Sequence, residues 1–278
     1  MDEYFRDEIS LVPRELSEEE KQKLEHQNSK MVSEFKSLKL EEEAKKNWDI
    51  FYKNNGDRFY KDRNWTTREF FELISSPSDS SEEKKRMLEV GCGVGNLVFP
   101  LMEKSNNFFT YCCDISPRAI EIVKKNERFD ETKMKAFQCD LTTADIFNDI
   151  EENSLDIITM IFVLSAIHPD KFQSVVHNLI KLLKPGGILL FRDYGRFDMA
   201  QLRFKPGNKI AENFYVRQDG TRSYYFEVKE VEELFKNAGF EIVDNKFIHR
   251  RTINVKLNIN VPRIFLQGKF KKPAENMR

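Results

Sequence analysis

The sequence predicts an α/β fold with a mostly parallel sheet and a helical arm at the N-terminus. From residue 86 onwards, strand-like apolar runs alternate with segments of helical spacing, which is the pattern of parallel sheets. A glycine-rich turn follows the first of these runs, and an aspartate follows each of the next two. The chain has 278 residues, of which 40% are hydrophobic, and this is enough for a sizeable core.

Composition and charge exclude several classes of protein. No apolar run reaches the roughly 18 residues of a membrane helix. The acidic first twenty residues differ from a secretory signal and from a basic transit peptide. The four Cys lack zinc-ligand spacing, so the sequence predicts neither a disulfide scaffold nor a metal site. We therefore expect a reducing compartment, the cytoplasm first and the nucleus second.

The sequence divides into three parts, namely a flexible acidic N-terminus over 1–29, a helical arm over 30–80 and a main domain over 81–278. Asp and Glu outnumber Lys and Arg in the first part. Apolar residues at helical spacing predict a helix in the arm, ending near Gly56. A serine-rich loop over 75–81 separates the arm from the main domain.

The main domain begins with alternating strands and helices. Helical segments follow the first, second and fourth strands, and Ser116-Pro117 is a typical helix start. The length of the segment 196–226 predicts an insert or lid, since connections in compact domains are shorter. A helix and two further strands, at 240–247 and 262–270, complete a predicted seven-stranded sheet. The first five predicted strands lie at 87–90, 108–113, 135–139, 155–165 and 188–191.

The stretch Glu89-x-Gly91-x-Gly93-x-Gly95, which follows the first strand and forms a glycine turn, is the strongest local indication of a ligand. Glycines let the backbone approach a ligand, and the N-terminus of the following helix favours polar or anionic groups. The spacing differs from a dinucleotide fingerprint, because Asn96 stands where that fingerprint has glycine. It suits S-adenosylmethionine (SAM) better than NAD, and a tight structural turn is the alternative.

Two aspartates at strand ends strengthen the interpretation of a SAM site. Asp114 follows Gly91 by 23 residues, where a carboxylate can accept both ribose hydroxyls. Asp140 ends the third strand, where it can meet the adenine amino group; the alternative is that it caps the next turn. Lys184-Pro185-Gly186-Gly187 is a recurrent feature of SAM-dependent methyltransferases. Together these features predict a class I SAM-dependent methyltransferase with a Rossmann-like fold.

Seven stretches of sequence are specific in combination: Trp48-Asp49-x-Phe51-Tyr52, Phe59-x-Lys61-Asp62-Arg63-x-Trp65, Gly91-Cys-Gly-Val-Gly-Asn96, Asp114-x-Ser116-Pro117-Arg118-Ala119, Phe162-Val-Leu-Ser-Ala-Ile-His168-Pro, Phe191-Arg-Asp-Tyr-Gly195 and Asn213-Phe-Tyr-Val-Arg-Gln-Asp-Gly-Thr-Arg222. Together they resemble the eukaryotic tRNA 3-methylcytidine methyltransferases over roughly residues 30–272. Trp65-Thr66-Thr67-Arg68 and Val261-Pro262-Arg263 are most similar to the serine-tRNA branch. Asp198-Met-Ala-Gln-Leu-Arg203 is more similar to the threonine-tRNA branch.

The resemblance implies methylation of cytidine N3 at the start of the anticodon loop, standard tRNA position 32. Trp48 and Tyr52 come from the helical arm, and the alternative is that they pack a helix on the core. SAM contact and core packing are compatible, because the aromatic faces can pack while the Tyr hydroxyl and the Trp N–H reach a partner. The resemblance implies SAM contacts from Trp48, Tyr52, Gly91, Asp114, Asp140, Leu141 and Ile161. The glycine turn adds Gly93 and Gly95 to this set.

Methylation of cytosine N3 needs little acid–base chemistry, because its neutral lone pair can attack the SAM methyl directly. The product carries positive charge, so catalysis requires positioning and stabilisation of that charge. Asp193, Tyr194 and Phe162 are the catalytic candidates. The first two lie at the end of the fifth strand and Phe162 lies near the end of the fourth, where substrate pockets open in such sheets. The alternative for Asp193 is a structural pairing with Arg192 or Arg196.

Basic residues beside aromatic residues predict the RNA contacts. A splayed base stacks on aromatic rings while Lys and Arg bind phosphates, although a solvated charged face is the alternative. The candidates are Lys61, Arg63, Arg68, Arg203, Lys205, Arg217, Arg222, Arg250, Arg251, Lys256 and Arg263. The serine branch is understood to work with seryl-tRNA synthetase, so the resemblance implies serine tRNA and that synthetase as partners.

Two other functions stay open on the sequence. One is methylation of a protein or small molecule. In that case the basic C-terminal hairpin and tail, with 9 Lys and Arg against one acid over 245–278, would be incidental. The other is a degenerate methyltransferase fold that binds RNA or activates a partner. The aromatic and basic insert speaks against the first, and the intact glycine turn with Asp114 and Asp140 speaks against the second.

Overall fold

The computed structural model of the chain describes residues 8–74, 84–105, 107–254 and 259–274. Short 3-10 turns at 71–73, 145–148, 164–166 and 169–171 connect some of the longer elements. The helices and strands are, in chain order, β1 (Glu8–Ser10), α1 (Glu18–Gln27), α2 (Glu34–Glu42), α3 (Ala44–Asn55), α4 (Thr66–Glu69), β2 (Lys85–Val90), α5 (Val98–Lys104), β3 (Phe108–Asp114), α6 (Pro117–Lys125), β4 (Met134–Gln138), β5 (Leu155–Ile161), α7 (Phe172–Leu182), β6 (Leu183–Tyr194), α8 (Met199–Leu202), β7 (Lys209–Ala211), β8 (Phe214–Val216), β9 (Arg222–Tyr224), α9 (Val228–Asn237), β10 (Glu241–Asn254) and β11 (Ile259–Lys271).

The main sheet has eight strands in the order β1-β10-β11-β6-β5-β2-β3-β4. Parallel pairing joins β2 to β3, β2 to β5 and β3 to β4, which confirms the predicted α/β class. The predicted seven strands are present, and β1 is an eighth that the sequence analysis does not include. It pairs antiparallel with β10, and Ile9 lies opposite Ile248. This short strand therefore extends the sheet beyond β10.

Residues 8–27 differ from the predicted flexible N-terminus. Besides β1, they form α1, which begins with a capping box in which Ser17 and Glu20 satisfy each other's backbone N–H groups. At the other end of α1, Gln27 is buried and its amide donates hydrogen bonds to the carbonyls of Gln201 and Phe204. Local capping and this long-range anchor order a segment whose composition alone indicates disorder.

The helical arm ends where the sequence predicts, since α3 stops at Asn55 and Gly56 follows with a left-handed φ of 55°. The continuous apolar spacing is nevertheless divided between α2 and α3, with Glu43 between them. Phe51 and Tyr52 of α3 are buried, as the helical stripe predicts. The serine-rich loop predicted over 75–81 lies outside the described residues.

Two strand boundaries differ from the sequence prediction for backbone reasons. β5 stops at Ile161 instead of continuing to residue 165, because Phe162 has a φ of 60° that a strand cannot accommodate. β6 starts at Leu183 and includes the predicted turn, because Gly186 donates to the carbonyl of Lys272, while Lys272 donates to that of Gly187.

The chain forms two compact units. The glycine-turn unit comprises Lys45–Ile161, Ser174–Leu190 and the residues from Lys271 onwards. The insert unit comprises the residues up to Ala44, Phe162–Gln173 and Phe191–Phe270. The insert predicted over 196–226 belongs to the second unit, where it contains α8 and a separate three-stranded sheet of β7, β8 and β9.

Candidate functional site

The glycine turn between β2 and α5 is closely packed. Gly93 and Gly95 have φ values of 55° and 89°, where residues with a side chain are strained. A Cβ on Gly93 would lie 2.8 Å from the Tyr52 hydroxyl, and one on Gly95 would lie 2.3 Å from the ring of Phe99. Glycine is therefore required at both positions by local packing and by the left-handed backbone.

Asp114, at the end of β3, is oriented by backbone donors. One carboxylate oxygen accepts from the N–H of Gly93 and the other from the N–H of Ser116, both at 2.9 Å. Each carboxylate oxygen has two lone pairs, so acceptor capacity is left for two ribose hydroxyls. Burial raises the pKa of Asp114 to about 6, against the opposing effect of these hydrogen bonds. The arrangement fits the ribose role that the sequence predicts.

Helix α3 is fixed to the glycine-turn unit by both aromatic and polar contacts. Phe51 and Tyr52 form a buried cluster with Val94 of the glycine turn, and the half-buried Trp48 packs against it. Asp49 accepts hydrogen bonds from the Ser116 hydroxyl and from the backbone N–H of Arg118. The core-packing alternative for these aromatics is thus present, and the Tyr52 hydroxyl also lies against the Gly93 backbone.

Arg63 has a structural position that differs from the predicted RNA contact. Its guanidinium donates to the carbonyl of Ile161 at 2.8 Å, and its backbone N–H donates to the carbonyl of Asn96. Its charge also lowers the pKa of Glu89, which burial nevertheless raises to about 8. The sequence did not reveal this structural hydrogen bond to the end of β5. A basic residue in a polar segment is expected to be exposed, and only the fold brings Ile161 next to Arg63.

Glu89 is a second residue whose function the sequence did not reveal. Its carboxylate is buried and accepts the N–H of Val98 at 3.1 Å, in the first turn of α5. A carboxylate at a helix N-terminus satisfies a donor that has no partner within the helix. The only signal in the sequence was an acidic residue inside an otherwise apolar strand, two positions before Gly91.

Asp140, Leu141 and Ile161 complete the predicted SAM contacts. One oxygen of Asp140 accepts from the N–H and the hydroxyl of Thr142, so this residue does cap the following turn. Ile161 is buried at the end of β5, and Leu141 is half-buried. All nine predicted SAM residues belong to the glycine-turn unit. Their carboxylates, glycine backbone and aromatic faces are groups that fit SAM.

SAM affinity is expected to fall as the pH drops below 6. The pKa of Asp114 is raised to about 6, and a protonated carboxyl accepts fewer hydrogen bonds than a carboxylate. Between pH 7 and pH 5 the ionised fraction decreases about tenfold, so the dissociation constant should rise about tenfold. Calorimetric titrations at pH 5, 6 and 7 measure this, and Asp114→Asn should remove the dependence. Equal affinity of the unaltered chain at all three values would contradict the assignment.

The catalytic candidates lie together in the insert unit, within an aromatic cluster of Phe162, Tyr194, Tyr225 and Phe265. The ring of Phe162 lies 5.0 Å from that of Tyr194 and 5.5 Å from that of Phe265. Tyr194 also lies 5.7 Å from Tyr225, and the Arg217 guanidinium stands 5.3 Å over the Tyr194 ring. The cluster offers aromatic faces and cations of the kind that bind a splayed base and its phosphates.

Asp193, the residue before Tyr194, is fully buried and pairs with neither Arg192 nor Arg196. Its carboxylate oxygens accept the backbone N–H groups of Ser165 and Tyr194, both at 2.9 Å. Arg192 donates instead to Gln267, and Arg196 pairs with Glu227. Burial raises the pKa of Asp193 to about 6, while hydrogen bonds from Ser165 and Tyr194 lower it. Its carboxylate holds the segment after β5 in place, a position that strand-end reasoning alone did not give.

The predicted RNA-binding residues differ widely in exposure. Lys61, Arg68, Arg203, Lys205 and Arg251 are exposed, whereas Arg217 and Arg250 are half-buried. Arg263 is partly buried and pairs with the buried Asp198, and Lys256 lies outside the described residues. Arg222, also predicted to contact RNA, has a buried side chain that pairs with Glu41.

Neither a membrane span nor a metal centre was found among the residues that the structure describes. No helix there has the length and apolar character needed to cross a bilayer. No set of three His, Cys, Asp or Glu side chains in the same ranges is placed to hold a metal ion. All four cysteines are buried free thiols.

A family model described as "Methyltransferase domain" matches residues 60–245. The human protein named "tRNA N(3)-cytidine methyltransferase METTL6" is 53% identical over 266 residues, covering 96% of this chain and 93% of the human one. The zebrafish (Danio rerio) protein named "tRNA N(3)-cytidine methyltransferase METTL2" is 40% identical, covering 88% of this chain and 78% of its own.

Solved structures with low sequence identity support the fold. A methyltransferase from Haloferax volcanii, in complex with the Trm112 activator, superposes with a TM-score of 0.60 at 14% identity, covering 84% of this chain and all of its own. The Burkholderia thailandensis 1,6-didemethyltoxoflavin N1-methyltransferase, solved with S-adenosylhomocysteine, gives 0.56 at 14% identity, covering 97% and 96%. Both carry the class I SAM-dependent methyltransferase fold that the sequence predicts.

Proposed function

This chain belongs to the family of tRNA N(3)-cytidine methyltransferases, and we propose that it methylates the cytidine at position 32 of serine tRNA. The observation that carries the proposal is the 53% identity to a tRNA N(3)-cytidine methyltransferase across 96% of the chain. The rivals in which the chain methylates a protein or small molecule, or has lost catalysis, lack such support. The glycine turn and Asp114 also keep the geometry that SAM binding requires.

The residues of the glycine-turn unit would hold the cofactor. When bound, SAM supplies a methyl group on a positively charged sulfur, which a neutral cytosine N3 can accept without prior deprotonation. Asp114 would accept hydrogen bonds from the ribose hydroxyls. The second oxygen of Asp140 would accept a hydrogen bond from the adenine amino group. Tyr52 and Trp48 would cover the ligand with aromatic faces that are already fixed by packing.

The insert unit would bind the cytidine and stabilise the charge that methylation creates. Phe162 and Tyr194 provide aromatic faces, which attract a cationic base through their quadrupole. Asp193 contributes negative charge next to Tyr194 and fixes the N–H groups of Ser165 and Tyr194. Positioning and charge stabilisation are sufficient for this reaction, because no proton must be removed from N3 before transfer.

Serine tRNA is favoured by the Trp65-Thr66-Thr67-Arg68 stretch, and the structure gives a reason to weigh the first residue of the threonine-like stretch less. Asp198, which begins that stretch, is fully buried and binds the guanidinium of Arg263 and the N–H of Ile264. Such a residue maintains the insert fold and has no exposed surface with which to select a tRNA. We also propose that the protein works in the cytoplasm, with the nucleus second; fractionation of the source cells tests this.

Seryl-tRNA synthetase is proposed as a partner because the chain has few clustered cations for tRNA. Its net charge is −1, and its basic residues are divided among separate short stretches of the sequence at 53–68, 196–226 and 250–272. Affinity from phosphate contacts scales with the number of phosphates neutralised, so divided patches hold naked tRNA weakly. A synthetase that already binds the tRNA would raise the effective concentration of the anticodon loop at the methylation site.

Adding seryl-tRNA synthetase is expected to raise methylation of serine tRNA at least about tenfold. The experiment incubates the purified chain with SAM and either serine or threonine tRNA, with and without the cognate synthetase, at physiological salt. Nucleoside analysis then measures 3-methylcytidine, and fragment analysis locates it. Seryl-tRNA synthetase with threonine tRNA is the matched control.

The possible results separate the parts of the proposal. Absence of 3-methylcytidine in every reaction would contradict the activity. Equal rates on serine tRNA with and without the synthetase would contradict the partner alone. Preferential methylation of threonine tRNA would overturn the serine assignment and leave the chemistry intact.

A further inference from the structure

Arg222 of β9 is a buried cation in the insert unit, with 5% of its side chain exposed. A buried guanidinium needs a carboxylate partner, because an unpaired charge in the interior is strongly unfavourable. That partner is Glu41 of α2, which also binds the ammonium of Lys171 at 2.5 Å. Burial alone would raise the pKa of Glu41, but hydrogen bonds from Lys171 and Arg222 hold it below its usual value. Glu41 is therefore a carboxylate that stays ionised.

The same arginine also holds the segment that follows β5. Its second guanidinium nitrogen donates to the carbonyl of Ala166 at 3.3 Å. Its guanidinium lies 5.5 Å over the ring of Phe214, and the ring of His168 meets Phe214 at the same distance. Arg222 thus connects helix α2 to the segment 164–168.

Phe162, one of the catalytic candidates, lies two residues before that segment. Phe162 has a left-handed φ of 60°, a strained conformation that persists only where neighbouring contacts enforce it. Its N–H donates to the carbonyl of Arg192 at 2.7 Å, and the N–H of Ser165 donates to Asp193 at 2.9 Å. With Ala166 held by Arg222, bonds on the residues from 162 to 166 fix the backbone that presents the Phe162 ring.

We propose that Glu41 and Arg222 are positioning residues for methyl transfer, acting through Ala166 to keep Phe162 and Tyr194 in place for the base. The inference rests on the proposed function, since it concerns the rate of that reaction. The ion pair neutralises Arg222, Arg222 holds the Ala166 carbonyl, and Asp193 holds the adjacent Ser165. Removing Glu41 leaves the guanidinium buried and uncompensated, so it must move and the Ala166 bond is lost.

The test compares Glu41→Gln, Arg222→Gln, the double variant and the control Lys171→Met. The control removes the other cation bound to Glu41 and leaves the Glu41–Arg222 pair intact. Single-turnover methylation is measured per SAM-binding site counted by calorimetry, so that loss of folded protein does not count as loss of rate. Hydrogen exchange of the amides at 162–168 reports on the segment independently of activity.

Glu41→Gln should lower the methylation rate about tenfold, as expected for a small displacement of a group that positions the substrate. SAM affinity should stay unchanged, and the amides at 162–168 should exchange faster. The double variant should lose no more than the worse single variant, because the two residues act as one unit. Lys171→Met should retain most of the rate. If Glu41→Gln does not fold, Glu41→Asp is used instead, since it keeps the charge but has a shorter side chain. The same loss of rate and the same faster exchange at 162–168 are expected.

Several results would overturn the inference. These are a wild-type rate in Glu41→Gln, additive losses in the double variant, or unchanged exchange at 162–168. Absence of methylation by the unaltered chain would instead contradict the proposed function. The exchange measurement would still decide whether Glu41 and Arg222 hold the segment.

Discussion

Replacing Asp114 with alanine is expected to weaken SAM binding by about 2–4 kcal/mol, the range for losing charge-assisted bonds to two hydroxyls. The carboxylate also binds the N–H groups of Gly93 and Ser116. The substitution therefore disturbs the glycine turn in addition to removing the acceptor. The fold should persist, because the buried core around β2 and β3 is unchanged. Calorimetric titration with SAM measures the affinity, and circular dichroism confirms the fold.

Asp130→Ala is the matched control for this prediction. Asp130 also belongs to the glycine-turn unit and also accepts a backbone N–H, that of Thr132, but it lies in the turn before β4 and is not a predicted SAM contact. Its removal should leave SAM affinity unchanged. An unaltered affinity in a folded Asp114→Ala variant would remove the ribose assignment.

Replacing Asp193 with asparagine should lower the rate of methyl transfer at least about tenfold while SAM affinity stays nearly unchanged. The substitution replaces one carboxylate oxygen with an NH2 group, which cannot accept a hydrogen bond. The backbone N–H of either Ser165 or Tyr194 therefore loses its acceptor. The negative charge next to Tyr194 is lost as well. A buried unpaired donor costs about 1–3 kcal/mol, so a lower melting temperature is also expected.

Single-turnover kinetics with saturating SAM measures this rate directly. Asp156→Asn serves as the control, since Asp156 also accepts a backbone N–H, that of Arg86, but lies near the opposite end of β5. A rate equal to that of the unaltered chain would show that the Asp193 carboxylate has no part in stabilising the product charge. Equal losses in both variants would point to a general effect of lost stability.

Much of the fold could be predicted from local patterns. Apolar runs placed β2 and β3 to within two residues of their observed limits, and Ser116-Pro117 marked the start of α6 correctly. Positions that broke the patterns were set by tertiary contacts. The strand β1 depends on pairing with β10, and the early end of β5 depends on the left-handed backbone of Phe162, which the surrounding contacts enforce.

More residues of the candidate SAM site than of the aromatic cluster around Phe162 could be predicted from the sequence, and for both sets the functional roles stay predictions. The SAM residues lie in short stretches where spacing alone carries the signal, since a turn, a strand end and a helix start are consecutive in the chain. The structure brings the predicted residues Phe162, Asp193 and Tyr194 together, but Phe265 and Ser165 were absent from the prediction. These two meet Phe162 and Asp193 only after distant segments pack together.

The amino-acid sequence by itself determined the α/β class, the glycine turn, the acids at the ends of β3 and β4 and the methyltransferase family, because each depends on residues near one another in the chain. Only the tertiary structure decided which charged residues serve the fold. Arg63, Arg222 and Arg263 have the composition of an RNA surface, yet each binds a partner 65 or more positions away. Burial and partner choice depend on contacts between distant segments, and local spacing carries no information about them.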